Sequence, residues 1–285
     1  MVTKKLSIAD ILIGVFMIII CIIMVYPFWH VLMGSFMNGT EYLQKNVLLW
    51  VNNPALDNYK YLLAETDTLL YILNTVFIAV FGTVLSVFFT TYSAYALSKN
   101  IPGIKFIFLL VVATMFIDPG LIPNYINFKD LGLINTRAVL IIIAVINPFF
   151  LIIMRSNFIE FPKELEESAR IDGAGINKIF FQIVFPLSTA MIAAITVFIA
   201  VNYWNTYLPS VFFISDPDKK TIQDYLGSLL TQEQLAVDAA QAVNQPLTTM
   251  LKFASIILGA LPILVVYPFM QRYFVKGALI GAVKG

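Results

Sequence analysis

Eight of the charged residues that could do chemistry with a soluble partner stand together: Glu160, Lys163, Glu164, Glu166, Glu167, Arg170, Asp172 and Lys178 fall within EFPKELEESARIDGAGINKIFFQIVFPL at 160–187. Long apolar runs lie on both sides. Pro162 suits the first position of a helix, because its missing N–H is unpaired there anyway. Glu164, Glu166 and Glu167 then fall in the first turn or two, where carboxylates complement the positive end of the helix dipole. Glu166 and Arg170 are four apart and can pair on one face. Gly173 and Gly175 are expected to end the helix, since glycine accepts the left-handed cap conformation. The apolar run from Ile176 to Phe185 follows, until Pro186 marks another boundary. The expected product is a short amphipathic helix with a small-residue face at Ser168, Ala169 and Gly173. Small side chains let a partner's surface approach the backbone closely. A plain charged loop between two apolar segments would carry the charge without needing this spacing.

A second group of polar residues sits in NYWNTYLP at 202–209. Asn202 and Asn205 are three apart, hence on one helical face, and amides are costly in hydrocarbon unless satisfied. They are expected to face the interior of a helix bundle. Sugar sites need a few directed hydrogen-bonding groups beside flat apolar walls. Asn202 and Asn205 can supply the first, and Trp204 or Tyr207 the second. The competing role is an aromatic belt at a membrane surface, with the amides in helix packing.

The elements that must hold these groups are membrane helices. The 285 residues are 59% hydrophobic and 12% charged, where soluble domains carry about 25% charged residues; mean hydropathy is +0.84. A net charge of +1 gives no case for nucleic acid. One cysteine, Cys21, and one histidine, His30, exclude a disulfide framework or a Cys/His metal cluster built from this chain. Cys21 reads as a small apolar residue within a span, and His30, beside Tyr26, Phe28 and Trp29, as a membrane-interface residue. A helix needs about 20 apolar residues to cross the hydrocarbon core. Six runs are expected to do so: about 9–36, 69–98, 104–123, 136–155, 187–214 and 249–271. The first follows Lys4 and Lys5 and is too long for a signal peptide, so it reads as a retained span. The third contains Asp118, Pro119, Gly120 and Pro123. Either it is broken at membrane depth, where protein or a water-filled cavity must cover the freed backbone, or it ends near Ile117. With the N-terminus in the cytoplasm, the inner segments hold eleven of the eighteen Lys and Arg residues. Basic residues favour the cytoplasmic side, so both termini and the 160–187 loop are expected inside. The outer loops are 37–68 and 215–248, and TIQDYLGSLLTQEQLAVDAA in the second can form a short helix over the outer face, a plain solvated loop being just as compatible. No internal repeat divides the chain, which reads as a single transmembrane domain over 1–285.

Some chemistry is missing. No G-x-x-x-x-G-K-[ST] cradle for phosphates is encoded, and one histidine leaves no Ser/His/Asp set. The runs 69–97 and 187–214 hold no charged residue, whereas proton- or ion-coupled carriers keep intramembrane charges as relays. This argues against a secondary carrier and puts the energy source on another subunit.

The order of residues in the charged break resembles the "EAA" loop of ABC importer permeases: Glu167, the small pair Ser168 and Ala169, Gly173 six positions on, Ile183 at sixteen and Pro186 at nineteen. The variant P-x-E-L-E-E-S-A-R-I-D-G-A is similar to the carbohydrate-uptake branch. Ser168 stands for the first Ala of that pattern, and Phe185 for its usual Leu. AYALSKNIPGIKF at 94–106, LGLINT at 131–136, NYWNTYLP and the tail QRYFVKGALIGAVKG extend the likeness over nearly the whole chain, and LTTMLKFASIILGALPILVVYPF is similar to permeases for complex oligosaccharides such as aldouronates or pectin fragments. The resemblance implies an all-α integral membrane protein of the MetI-like permease fold, with six transmembrane helices and a cytoplasmic coupling helix. It implies one of two non-identical permease subunits of a binding-protein-dependent importer in the bacterial cell membrane. Two separate ATPase subunits would bind ATP and Mg below, with no cofactor in this chain, and an extracytoplasmic solute-binding protein would deliver a carbohydrate above. Glu166, Glu167, Ser168, Ala169, Asp172 and Gly173 are the implied coupling contact, and the tail residues Gly281 and Lys284 a second contact with the ATPase. An ABC permease for another small solute is the alternative.

Overall fold

A computed structural model describes residues 8–45, 47–64, 67–238 and 249–265, with backbone alone at 230 and 232–238. Among them all regular structure is helical. They form two compact units, one built from the chain up to Thr68 together with Leu226–Leu261, the other from Leu69–Tyr225 and the chain from Pro262.

In the first unit the helix Ile8–Ser35 is apolar on every face, with only Gly34 and Ser35 buried. A helix that is hydrophobic all round belongs in a membrane or a deep core. Two short helices follow, Gly39–Gln44 and Asp57–Ala64. Asn38 caps the first by accepting the Glu41 N–H at 2.9 Å. The Glu41 carboxylate then clips the loop: it accepts Lys45 Nζ at 2.7 Å and the N–H groups of Asn52 and Asn53 at 2.8 and 3.4 Å. These donors, led by the Asn52 N–H, hold the Glu41 carboxyl below its ordinary value of 4.5. A carboxylate with a lowered folded pKa stabilises the loop above its unfolded pKa, and that contribution is lost as pH falls through the folded one. Amide protection at Asn52 and Asn53 should therefore be constant from pH 7 to 5 and fall below pH 4.5; protection unchanged at pH 3 would mean the clip carries no stability.

The second unit is organised by the 31-residue helix Thr68–Ser98. Its core runs from Ile78 and Tyr95 through Val139, Leu140, Met154 and Phe180 to Ile195 and Tyr203. Gly82 lets the chain close here, because a Cβ on it would lie 2.6–2.8 Å from the Tyr203 ring. That ring cannot swing away, since Tyr203 OH donates to the Ile141 carbonyl at 2.8 Å and the residue is 1% exposed. Overpacking a filled core costs about 1–3 kcal/mol. Gly82→Val should lower the thermal midpoint of the purified protein accordingly, and an unchanged midpoint would mean that this contact is slack.

Several expected spans are built from shorter pieces. Among the described residues two helices can cross a membrane by length and composition, Ile8–Ser35 and Thr68–Ser98, or three if the pair Ile176–Leu187 and Thr189–Trp204, bent by 82°, counts as one. The run expected at 104–123 is helical only over Ile104–Ala113. It breaks before Gly120, whose φ of 79° is left-handed and whose N–H bonds to the Asp118 carboxylate at 2.9 Å, and Leu121–Asp130 is a separate helix. The run at 136–155 divides into Arg137–Ile142 and Pro148–Ile159. Pro148 cannot donate to the preceding turn, and Asn147 caps the new helix through the Phe149 N–H at 2.9 Å. The run at 187–214 is offset: its helix is already formed at Ile176, passes Pro186 with a π turn over Phe180–Val184, bends at Ser188 and ends at Trp204, with Leu208–Phe213 beyond. Pro186 therefore precedes a bend and does not end the helix at once. The run at 249–271 is helical over Thr249–Val265, as far as the described residues reach. The outer-loop helix is present as Ile222–Asp238.

Candidate functional site

The charged break folds as the helix Lys163–Ile171 with Pro162 as its N-cap residue. Gly173 adopts φ 78° just past the end. Its N–H bonds to the Arg170 carbonyl at 3.0 Å, and the Ala174 N–H reaches back to the Ala169 carbonyl at 2.9 Å, the two bonds of a Schellman stop. Gly175 plays a different part from the one expected. It is the extended N-cap of the next helix, at φ −69° and ψ 162°, so one glycine ends the first helix and the other starts the second.

The helix has two faces, and the six implied contact residues divide between them. Glu166 and Ala169, three apart, turn inward and are each 8% exposed. Glu167, Ser168, Asp172 and Gly173 stay exposed. The small residues therefore do not share one face: Ala169 packs into the chain's own core, while Ser168 and Gly173 lie on the open side. A Cβ on Gly173 would meet nothing within 4 Å among the described residues beyond its chain neighbours, so they leave the surface beside it open.

Glu166 is the anchor. Its carboxylate accepts Lys99 Nζ with both oxygens, each at 2.6 Å, while Arg170, the partner expected from spacing, stands farther off at 3.9 Å. Lys99 follows the last turn of the Thr68–Ser98 helix, and its ammonium also lies 3.9 Å from the Tyr95 ring centroid. Burial pulls the Lys99 ammonium down from its ordinary value of 10.5, and the Glu166 carboxylate opposes that shift. The same helix end is held from two more sides. Arg155 Nε donates to the Leu97 carbonyl at 2.9 Å, and Tyr92 OH donates to the Asn177 side-chain oxygen at 2.8 Å. Sequence reading missed Lys99, Arg155 and Asn177. Lys99 stood within the quoted Y-A-L-S-K stretch, but nothing in its spacing joined it to a glutamate 67 positions away.

The second candidate group also divides. Tyr203 and Trp204 take the inner face of the Thr189–Trp204 helix, at 1% and 6% exposed. Trp204 borders an apolar cleft of about 430 Å³ with Val76, Val80, Thr83 and Val201. Asn202, Asn205 and Tyr207 lie on the outside of the chain, so the amides do not face this chain's own bundle as expected. The two large rings hold more apolar surface and claim the core side. The C-terminal end of this helix is closed by side chains that the sequence did not single out. Gln223 Nε2 donates to the Trp204 carbonyl at 3.1 Å, and Thr221 Oγ1 to the Thr206 carbonyl at 2.9 Å. The loop bearing them is pinned to the far end of the Thr68–Ser98 helix. Buried Asn74 donates to the Asp218 and Lys220 carbonyls at 2.8 and 3.0 Å and accepts Arg137 Nε at 2.9 Å. Thr75 Oγ1 accepts the Ile222 N–H at 2.9 Å. Asn135, left-handed at φ 61°, accepts the Ser215 and Asp216 N–H groups at 3.2 and 2.9 Å. Gly281 and Lys284 lie outside the described residues.

Comparison with known proteins joins these features to one family. Residues 66–279 match the family described as "Binding-protein-dependent transport system inner membrane component". The chain is 38% identical to the "Polygalacturonan/rhamnogalacturonan transport system permease protein YtcP" of Bacillus subtilis (strain 168), over 97% of this chain and 98% of that protein. It is 30% identical to the "Arabinooligosaccharides transport system permease protein AraQ" of Halalkalibacterium halodurans, over 93% of each. Its fold matches a chain in the crystal structure of a bacterial ABC transporter involved in the import of the acidic polysaccharide alginate, with a TM-score of 0.85 and 30% identity over 95% of this chain and all of that one. The all-helical build, the helix that ends in a left-handed glycine with its outer face open, and the match over residues 66–279 lead to one conclusion: the chain belongs to the binding-protein-dependent transport system inner membrane components, the permease family of ABC importers.

Proposed function

We propose that this chain is one of two non-identical permease subunits of an importer for an oligosaccharide, driven by two separate ATPase subunits that bind ATP and Mg. An extracytoplasmic binding protein delivers the sugar. The chain crosses a bacterial cytoplasmic membrane six times with both termini inside, and carries no cofactor of its own. The observation that carries this reading is the two-faced helix Lys163–Ile171: its inner face is pinned by Glu166 to Lys99, and its outer face leaves Glu167, Ser168, Asp172 and Gly173 free for an ATPase. The carbohydrate rests on the relatives, whose names specify oligosaccharides or polysaccharides. Asn202, Asn205 and Tyr207 fit the pathway: amides exposed on a membrane helix are costly in lipid, so they face either the partner permease or the aqueous path of the sugar.

The test is isolation of the intact complex through a tag on this chain, with identification of its other subunits and of the glycan held by its binding protein. The expected result is a second permease, an ATPase and an oligosaccharide. A chain that purifies alone and moves solute on a proton gradient without ATP would establish a secondary carrier instead.

A further inference from the structure

We infer that the Thr68–Ser98 helix is the rod that carries movement of the ATPase-facing helix to the outer end of the substrate span. This rests on the reading that Lys163–Ile171 meets the ATPase and that the Asn202–Tyr207 segment borders the sugar path. The helix has a pin at each end. At its inner end, Lys99 is locked between both Glu166 oxygens at 2.6 Å and the Tyr95 ring, and the two side chains are only 13% and 11% exposed. The other ionisable groups at this pin are Arg170, 3.9 Å from Glu166, and the phenol of Tyr95, which feels the Glu166 charge. Apolar packing alone, here Ala169, transmits a push; the ion pair also holds under a pull and fixes register. Tyr92 adds a bond to Asn177 on the return arm of the same loop, so both limbs of the charged break are tied to this one helix.

At the outer end, Asn74 and Thr75 grip the 218–222 segment through three bonds of 2.8–3.0 Å. That segment carries Thr221, and Gln223 follows it. Their side chains hold the Thr206 and Trp204 carbonyls, on either side of Asn205. From Thr75 to Lys99 the pins are joined by about 24 residues of the unbroken 31-residue helix, about 36 Å at 1.5 Å per residue. The rod is stiff, packed, and joined by directed bonds to both candidate sites. Lys99, Asn74 and Thr75 are thus positioning residues that act on the ATPase contact and the sugar path through this helix.

The experiment is a double-mutant cycle in the complete importer, reconstituted in liposomes with its ATPases, partner permease and binding protein. The variants are Lys99→Met at the inner pin and Asn74→Ala at the outer one, with Thr75→Val as the volume-conserving alternative at the outer pin and Lys99→Arg as the conservative control. The readout is sugar moved per ATP hydrolysed, beside co-purification of the ATPase and the thermal midpoint. Each pin variant should keep its ATPase and its fold yet lose about tenfold in sugar per ATP, within the usual range of coupling between linked sites. The double variant should lose no more than either single one, and Lys99→Arg should retain coupling. Multiplied losses in the double variant would overturn the rod, as would wild-type coupling in Lys99→Met or loss of the ATPase from it. Failure of the underlying docking reading shows elsewhere, as an ATPase that stays bound to Glu167→Lys.

Discussion

Glu167→Lys and Gly173→Asp are each expected to release the ATPase and abolish uptake while the permease still inserts. Glu167 is exposed beside the anchored Glu166, so its carboxylate is free to meet a basic residue on a partner. Breaking a buried pair by reversing one partner costs roughly 3–5 kcal/mol, about a hundredfold or more in affinity. Gly173 works by geometry. Its φ of 78° is left-handed, so any other residue there pays roughly 1–2 kcal/mol of backbone strain. Among the described residues none beyond its chain neighbours stands within 4 Å of the added Cβ, so this part of the fold has room for aspartate. What the new carboxylate would meet is the partner's surface. Co-purification of the ATPase and uptake by whole cells measure the effect. A well-inserted Gly173→Asp variant that transports normally with its ATPase bound would remove this helix as the docking element.

Replacing Asn202 and Asn205 together by Ala is expected to lower transport of the native sugar by roughly tenfold, from two lost hydrogen bonds at about 0.5–1.5 kcal/mol each. Complex assembly and basal ATP turnover should stay unchanged. Both amides are exposed, and Asn205 makes its backbone bond to the Val201 carbonyl at 3.0 Å whatever its side chain, so the helix end should survive truncation. Initial rates over a range of sugar concentrations, with the ATPase rate of the same vesicles, separate the outcomes. A complex that falls apart would place these amides in subunit packing, and an unchanged rate would take them out of the path.

Composition and local spacing made much of this legible. The apolar runs announced membrane helices, and the sequence from Pro162 to Gly173 announced a short helix closed by a left-handed glycine. Four things were out of reach. Spacing along one helix offered Arg170 to Glu166, but the partner that binds it most closely is Lys99, brought in by the packing of two distant helices. The facing of Asn202 and Asn205 depended on which neighbours won the core, and Tyr203, fitted against Gly82, settled it. The interruption near Pro148 and the bend at Ser188 lie inside runs that hydropathy reads as continuous, because a window average does not register a missing N–H, whereas Asp118, Pro119 and Gly120 had already marked the break in the third run. The outer clasp of Asn74, Arg137, Thr221 and Gln223 left no signal, since its members are scattered over 150 residues and each alone looks like an ordinary polar residue near a membrane surface.

The most direct measurement is a photo-reactive cross-linker on a cysteine at Ser168, with Cys21→Ala to remove the one native, exposed thiol. Ser168 lies on the open face of the Lys163–Ile171 helix. The adduct should be an ATPase subunit, with a yield that changes when ATP is added. Adducts only with lipid, or with an extracytoplasmic protein, would contradict the account: the first would leave the helix without a partner, and the second would place it on the wrong side of the membrane.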